Sequence, residues 1–236
     1  AVGMIECGPA AGVIGSRYLG HVMDDGDVIA ADMGGTTFKV GGIQGGEFDY
    51  AREPMVDRFH YVAPKIEVIS IGAGGGSIAR VDSGGILRVG PDSAGARPGP
   101  ACYGRGGAEP TITDASLLLG YLNPAGLAGG ELHLDSGLAE RALAGIADRL
   151  GMSTTEAAVG AHRIINVQMA EQIRLITIKK GHDPRQFTLM AFGGAGPLHG
   201  AYLADELGMR RVIVPPSPGA FSALGALMAD TRFDYV

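Results

Sequence analysis

The sequence predicts an α/β fold in which helices flank a mixed sheet. Apolar runs near the N-terminus are joined by short glycine-containing links, which indicates an antiparallel meander. Further along the chain, apolar strands alternate with helical patterns. The 236 residues, with 46% hydrophobic and 19% charged side chains, are sufficient for a large buried core and typical of a globular protein.

The first half is predicted to be mostly strand. A short helix of small residues is expected over 8–20, ahead of a meander with strands over 28–32, 36–43 and near 47–53. A further strand is expected over 65–71, followed by a hairpin that turns at Gly84 and Gly85. The long segment 91–110 contains four prolines and shows no periodicity, and irregular loops of this length are often functional.

The second half is predicted to be more helical. Thr113 is a candidate N-cap for a helix over 113–122, with Asp114 favouring the helix dipole, and a second helix is expected to begin at Ser136 and end at Gly151. The next helix has the strongest signal, because Ser153 and Glu156 are spaced as a capping box. A strand over 187–192, a helix begun by a proline, a strand over 211–215 and a final helix complete the predicted order.

Several classes of function are disfavoured by composition. A net charge of −6 without a basic stripe argues against nucleic acid as a partner, and the longest apolar run, 11 residues, is too short to cross a membrane. The two cysteines are too few for a disulfide framework, so we expect a cytoplasmic protein. The N-terminus resembles neither a signal peptide nor a natural start, and we expect a piece of a longer polypeptide.

Glycine is unusually abundant: 40 of the 236 residues are glycine, whereas glycine usually makes up about 7% of a chain. The segment "GGGSIA" over 74–79 matches a dinucleotide-binding pattern, but the residues after it alternate like a strand, and the fingerprint requires a helix there. The P-loop pattern is absent as well. The glycine run at 74–79 therefore predicts neither a Rossmann site nor a P-loop.

The stretch "VIAADMGGTTFKVGG" over 28–42 is a better candidate for a phosphate site. Asp32 closes a buried strand, where its carboxylate is placed to hold Mg²⁺ or its waters. Gly34 and Gly35 permit a tight turn with outward N–H groups, and Thr36 and Thr37 add hydroxyl donors. The alternative from these residues alone is an ordinary β-hairpin, in which the glycines serve only the turn.

Four segments taken in order resemble a known superfamily. "ECGPAAGVIG", "DMGGTTFKV", "AFGGAGPLH" and "GAFSALGALMAD" are similar to the second half of the nucleotide site shared by actin, sugar kinases and chaperone ATPases. Within it, "IGAGGGSIARVDSGGILRVGPDSAGARPGPACYGRGGAEPTITDASLLLG" and "AFGGAGPLHGAYLADELG" resemble the hydantoinase A/5-oxoprolinase family, which includes subunits of acetone and acetophenone carboxylases. The resemblance covers nearly all of 1–236 and implies the second half of an actin-like, ribonuclease-H-like ATPase, with the N-terminal half and the C-terminal region of the parent protein expected to be absent.

The resemblance implies roles for particular residues. Asp32 would be a catalytic residue and a metal ligand, and Glu6 would orient water or metal. ATP and Mg²⁺ (or Mn²⁺) would be the cofactors, held by the residues of two glycine loops: Gly34, Gly35, Thr36, Thr37, Gly193, Gly194, Ala195 and Pro197. The chain departs from the family at Lys39, where many members have an aspartate. This leaves metal binding or the substrate class open.

The activity that the resemblance implies is ATP-dependent hydrolysis of a cyclic amide, such as a lactam, hydantoin or 5-oxoproline, through a phosphorylated carbonyl. A ketone carboxylase subunit and a scaffold with a vestigial nucleotide site are the alternatives, and a sugar-kinase-like role ranks third. The resemblance also implies a small-molecule substrate and a hydantoinase B-like partner subunit or domain. With half of the cleft absent, we expect the isolated chain to be inactive.

Overall fold

The computed structural model describes residues 6–51, 55–56, 58–60, 65–127 and 130–230. These residues form two compact units. The first unit combines Ala1–Asp32, Lys39–Ser70 and Glu171–Val236, and the second combines Met33–Phe38 with Ile71–Ala170. Because each unit is assembled from segments distant in sequence, the division leaves no linker that a sequence pattern would reveal.

A mixed sheet is the main feature of the first unit. Its strand order is β12 (Arg211–Ile213), β11 (Thr188–Phe192), β1 (Val28–Met33), β2 (Phe38–Gln44) and β3 (Glu47–Phe48), and β8 (Ile69–Ile71) also pairs with β2. Strand β11 runs parallel to both β1 and β12, whereas β3 is antiparallel to β2. The predicted α/β class with a mixed sheet is therefore confirmed.

Three helices belong to the first unit: α1 (Cys7–Val22), α5 (Gly196–Leu207) and α6 (Phe221–Leu227). Helices α1 and α6 pack through glycines, since a Cβ at Gly225 would overlap the Ala11 carbonyl oxygen. A Cβ at Gly12 would lie 2.7 Å from the Phe192 ring. The small residues of α1 thus bring the helix backbone against a core that includes Phe192 and Phe221.

The second unit begins with the predicted hairpin. Strands β9 (Ser77–Val81) and β10 (Leu87–Ser93) pair antiparallel, and Gly85 supplies the positive φ of the turn. Helices α2 (Ile112–Leu118) and α3 (Ser136–Leu150) follow, and α3 ends at Gly151 as predicted. They pack around a core of Cys102, Leu117, Leu134 and Ala139.

Helix α4 (Thr154–Thr177) has the beginning that the sequence predicted. The N–H and hydroxyl groups of Ser153 both donate to the Glu156 carboxylate at 2.8 Å, and the Glu156 N–H donates back to the Ser153 hydroxyl. One face of the helix is buried, as its spacing predicted, at Ala161, Ile165, Met169, Ile173 and Ile176. A short 3₁₀ turn over Ile178–Lys180 then ends at Gly181.

Three local predictions need correction. The strand near 47–53 is interrupted, with β3 followed by β4 (Tyr50–Ala51), and the strand over 65–71 is split into β7 (Lys65–Ile66) and β8. The split arises because β7 pairs with β4 while β8 pairs with β2. The N-cap of α2 is Thr111, not Thr113. Two further short strands, β5 (Met55–Val56) and β6 (Phe59–His60), form a small ribbon.

Candidate functional site

The carboxyl ends of the parallel strands in the first unit bring together the predicted residues of that unit other than Glu6. In the β1–β11 register, Asp32 is opposite Phe192, so Gly193 leaves the sheet beside Asp32. The Gly193 N–H donates to the Pro218 carbonyl oxygen at 2.9 Å, which brings the connection after β12 to the same edge. Ligands of open α/β sheets bind at this edge of the strands.

Asp32, near the end of β1, has a carboxylate without a direct partner among the described residues. Its side chain is half-buried, and it makes no hydrogen bond or ion pair with any residue that the structure describes. Burial raises its pKa, and the charge of Lys39 opposes that rise. A bound divalent cation would add to the partial compensation that Lys39 provides.

The second glycine loop leads directly into a helix. Gly193 has a φ of 84°, Ala195 is the N-cap of α5 without a side-chain cap, and Pro197 lies in its first turn. Within the described residues, the N–H groups of Gly194 and Ala195 donate no hydrogen bond. The beginning of α5 therefore offers uncapped donors and the positive end of a helix dipole.

The first glycine loop, Gly34–Thr37, is part of the second unit and we call it the β1–β2 turn. The Gly34 N–H donates to the Thr37 carbonyl oxygen at 3.1 Å. The carbonyl oxygens of Gly34 and Gly35 accept from the N–H groups of Gly75 and Gly76 at 3.0 and 2.7 Å. The carbonyl oxygens of Gly34, Gly35 and Thr37 thus all accept backbone hydrogen bonds within the protein.

The amide side of the same turn is open. Among the described contacts, the N–H groups of Gly35, Thr36 and Thr37 and both threonine hydroxyls donate no hydrogen bond. A Cβ at Gly34 or Gly35 would meet nothing within 4 Å, and neither residue has a positive φ. Gly194 shares both properties. Outward amides with open space above them form a cradle that fits phosphate oxygens.

The glycine run at 74–76 supports this turn rather than binding a dinucleotide. No helix follows it, since β9 begins at Ser77, as predicted. A Cβ at Gly74 would lie 2.6 Å from the Gly35 carbonyl group and from the Thr36 nitrogen. The absence of side chains here lets the run pack directly against the backbone of the β1–β2 turn.

Glu6 is placed away from a free catalytic role in this structure. It precedes α1 with a left-handed φ of 58°, and its carboxylate forms an ion pair with Lys65. Burial lowers the pKa of Lys65. None of the described contacts joins Glu6 to Asp32, so its role in orienting water or metal stays a prediction.

Asp114 is a structural residue that the sequence prediction underrated. Its side chain is fully buried and accepts from the N–H groups of Cys102 and Thr111 at 2.7 and 2.8 Å, and from the Thr111 hydroxyl at 2.8 Å. It therefore organises the end of the 91–110 loop in addition to favouring the helix dipole. The spacing Thr111-x-x-Asp114 is a capping-box signal that would have identified it.

The match to known proteins extends over almost the entire chain. Residues 1–235 match the family described as hydantoinase/oxoprolinase. The chain belongs to the hydantoinase/oxoprolinase family. It is 42% identical over 235 residues to the caprolactamase subunit alpha of Pseudomonas jessenii, covering 99% of this chain and 34% of that protein.

Two solved structures share the fold of this family member. The crystal structure of the ATP-dependent caprolactamase from Pseudomonas jessenii matches with a TM-score of 0.86 and 41% identity, over 96% of this chain and 32% of that one. The nucleotide-free structure of acetone carboxylase, from a study of ATP-dependent acetone carboxylation, matches with a TM-score of 0.86 and 37% identity, over 93% of this chain and 31% of that one. The chain thus spans about a third of the length of these proteins.

The family includes enzymes that hydrolyse lactams and enzymes that carboxylate ketones. Within the part of the chain that the structure describes, no helix is both long and apolar enough to span a membrane.

Proposed function

We propose that this chain is the ATP-binding part of an enzyme that hydrolyses a cyclic amide, acting with a hydantoinase B-like partner subunit or domain. Membership of the hydantoinase/oxoprolinase family and the similarity to an ATP-dependent caprolactamase support the reaction class. The subunit name of the caprolactamase relative supports a partner. ATP would supply a phosphoryl group that turns an unreactive carbonyl oxygen into a better leaving group.

The observation that carries this proposal is the occurrence, within four residues of sequence, of a partnerless carboxylate and open glycine backbone. Asp32 is half-buried without a counter-charge in direct contact among the described residues. Gly34 and Gly35, two and three residues later in the chain, have unused space at their Cβ positions. An ordinary hairpin requires neither property. A metal–phosphate group requires both, because the cation needs an anionic ligand and the phosphate needs close access to amides.

Each residue of the candidate site has a defined task in this proposal. Asp32 would hold Mg²⁺, directly or through its waters. The amides of the β1–β2 turn and the hydroxyls of Thr36 and Thr37 would hold the terminal phosphates and stabilise the charge that develops on them. The adenosine would lie along the residues that begin α5: Gly193, Gly194, Ala195 and Pro197.

Calorimetric titration of the intact native protein with Mg²⁺ and adenylyl imidodiphosphate tests the proposal. We expect Asp32→Asn to weaken binding about tenfold or more, because the metal loses an anionic ligand. Asp148→Asn is the matched control, since this exposed aspartate of α3 has no side-chain partner among the described residues. Equal affinities of wild type and Asp32→Asn would contradict the proposal.

The substrate class is tested by phosphate release. We expect ATP turnover to depend on a lactam, with caprolactam, 5-oxoproline and hydantoin assayed in parallel. Stimulation by a ketone with bicarbonate, and by none of the cyclic amides, would assign the chain to the carboxylating branch instead.

A second candidate function, a scaffold with a vestigial nucleotide site, is favoured by Lys39. Its ammonium group acts on Asp32 electrostatically, so part of the charge that a metal would supply is already present in the chain. A scaffold predicts no nucleotide binding by the wild-type protein and no loss of activity on Asp32→Asn. The titration described above separates the two candidates.

A further inference from the structure

Thr113 contacts the back of the β1–β2 turn through a single peptide group. Its N–H and its hydroxyl both donate to the Gly75 carbonyl oxygen, at 2.7 and 2.8 Å. The other end of that peptide group is the Gly76 N–H, which donates to the Gly35 carbonyl oxygen at 2.7 Å. The Gly75–Gly76 peptide group therefore links Thr113 to the Gly35–Thr36 peptide group of the turn.

The last group in this series faces the candidate phosphate site. The Gly35 carbonyl and the Thr36 N–H belong to one planar trans peptide, so fixing the direction of the carbonyl fixes the N–H in the opposite direction. The Thr36 N–H is among the donors without a protein acceptor in the described contacts. Hydrogen bonds in series polarise one another, which strengthens the terminal donor.

Thr113 is itself held in a fixed position. It is buried in the first turn of α2, between the two members of the capping box formed by Thr111 and Asp114. The beginning of α2 thus gives the series a rigid starting point.

We propose that Thr113 is a positioning residue for phosphate binding, acting through Gly75 and Gly76 on the amide of Thr36. This inference depends on the proposed nucleotide site. It assigns Thr113 no contact with the nucleotide. It also explains why the run at 74–76 lacks side chains, because a Cβ at Gly76 would lie 2.9 Å from the Gly35 carbonyl oxygen.

The test compares Thr113→Val, which removes only the hydroxyl donor, with Thr113→Ser, which retains it. Titrations of the intact native protein with Mg²⁺ use adenylyl imidodiphosphate and, separately, AMP, which lacks the terminal phosphates. We expect Thr113→Val to weaken binding of the triphosphate analogue about three- to tenfold, the loss typical of one hydrogen bond. AMP affinity should be unchanged, and Thr113→Ser should restore the analogue affinity.

A purely structural role for Thr113 predicts a different result. In that case Thr113→Val would lower the unfolding temperature while the ratio of analogue to AMP affinity stayed at its wild-type value, and the inference would be overturned. If Thr113→Val does not fold, Gly76→Ala replaces it, because its Cβ displaces the Gly35 carbonyl directly. An unchanged affinity ratio for Gly76→Ala would equally overturn the inference.

The outcomes also separate this inference from the proposed function. Analogue binding that is weakened by Asp32→Asn and unaffected by Thr113→Val would refute the role of Thr113 alone. Failure of the wild-type protein to bind the analogue would refute both. Gly145→Ala is the control for glycine substitution in the second unit, since its Cβ would have no neighbour within 4 Å.

Discussion

The contact between α1 and α6 and the β1–β2 turn are both rich in glycine, but for opposite reasons. At the helix contact the glycines are crowded, because a Cβ at Gly225 would overlap the Ala11 carbonyl oxygen and a Cβ at Gly15 would lie 3.1 Å from the Gly225 Cα. At the turn, a Cβ on Gly34 or Gly35 would lie in open space. Only the first group is explained by the chain itself.

This difference gives a way to separate glycines that serve the fold from glycines that serve a ligand. A crowded glycine, or one with positive φ, is required by the folded backbone. Gly35 and Gly194 are neither crowded nor in the left-handed region, so the folded backbone does not itself require glycine at either position. Gly145 is open in the same way, and it is therefore the reference for the predictions below.

The largest expected effect is at the helix contact. Gly225→Ala should lower the free energy of unfolding by about 3 kcal/mol, the upper range for overpacking a rigid site, because the methyl group meets backbone. Urea unfolding of the intact native protein measures it. Gly145→Ala should instead be neutral or stabilise by up to about 1 kcal/mol. A loss for Gly225→Ala no larger than for Gly145→Ala would contradict the packing role.

A smaller effect of a different kind is expected at the turn. Gly35→Ala should weaken binding of the ATP analogue about tenfold, since the methyl group occupies space needed by phosphate. The same change should leave the fold intact or stabilise it by about 0.4–1 kcal/mol, because alanine has less conformational freedom in the unfolded chain. Calorimetry and urea unfolding on one sample test both. A destabilised protein with wild-type affinity would show that Gly35 belongs with the crowded glycines.

The smallest expected effect is on the stability of the ligand-free protein, and it arises from Asp32. Burial raises the pKa of its carboxyl group above the ordinary value, so the folded state holds the proton more tightly than the unfolded chain does. The resulting stabilisation is present below the pKa that Asp32 has in the unfolded chain. It is lost as pH rises through the pKa that Asp32 has in the folded protein. We therefore expect Asp32→Asn to gain stability relative to wild type across this window. A stability difference that does not change with pH would contradict the burial of a partnerless carboxylate.

Local patterns predicted most of the fold. The capping box of Ser153 and Glu156, the end of α3 at Gly151 and the buried face of α4 all depend on residues within a few positions of one another, and the structure confirms them. The position of Asp32 at the end of a buried strand was readable for the same reason.

Longer-range pairing explains what the sequence did not reveal. Isoleucine and valine recur from one end of 65–71 to the other, which predicts a single strand. Its two halves have different partners, and only tertiary structure determines that. The glycine run at 74–76 matched a dinucleotide pattern, whereas its role is to contact a turn some 40 residues earlier in the chain. Thr113 was predicted to be a helix cap from its local sequence. Its hydrogen bond to Gly75 joins residues 38 positions apart, which a local pattern does not reveal.

The two cysteines give the chain a practical property. Cys7 is exposed at the beginning of α1, whereas Cys102 is fully buried, and burial together with the nearby Asp114 carboxylate raises the pKa of the Cys102 thiol. The thiolate is the nucleophile that attacks thiol reagents, so these reagents will modify Cys7 and spare Cys102 while this region stays folded. A fluorophore can therefore be attached at Cys7 without mutagenesis. Cys7 lies six residues before Val13, whose side chain is part of the core. Delayed labelling of Cys102 would then report the opening of the second unit.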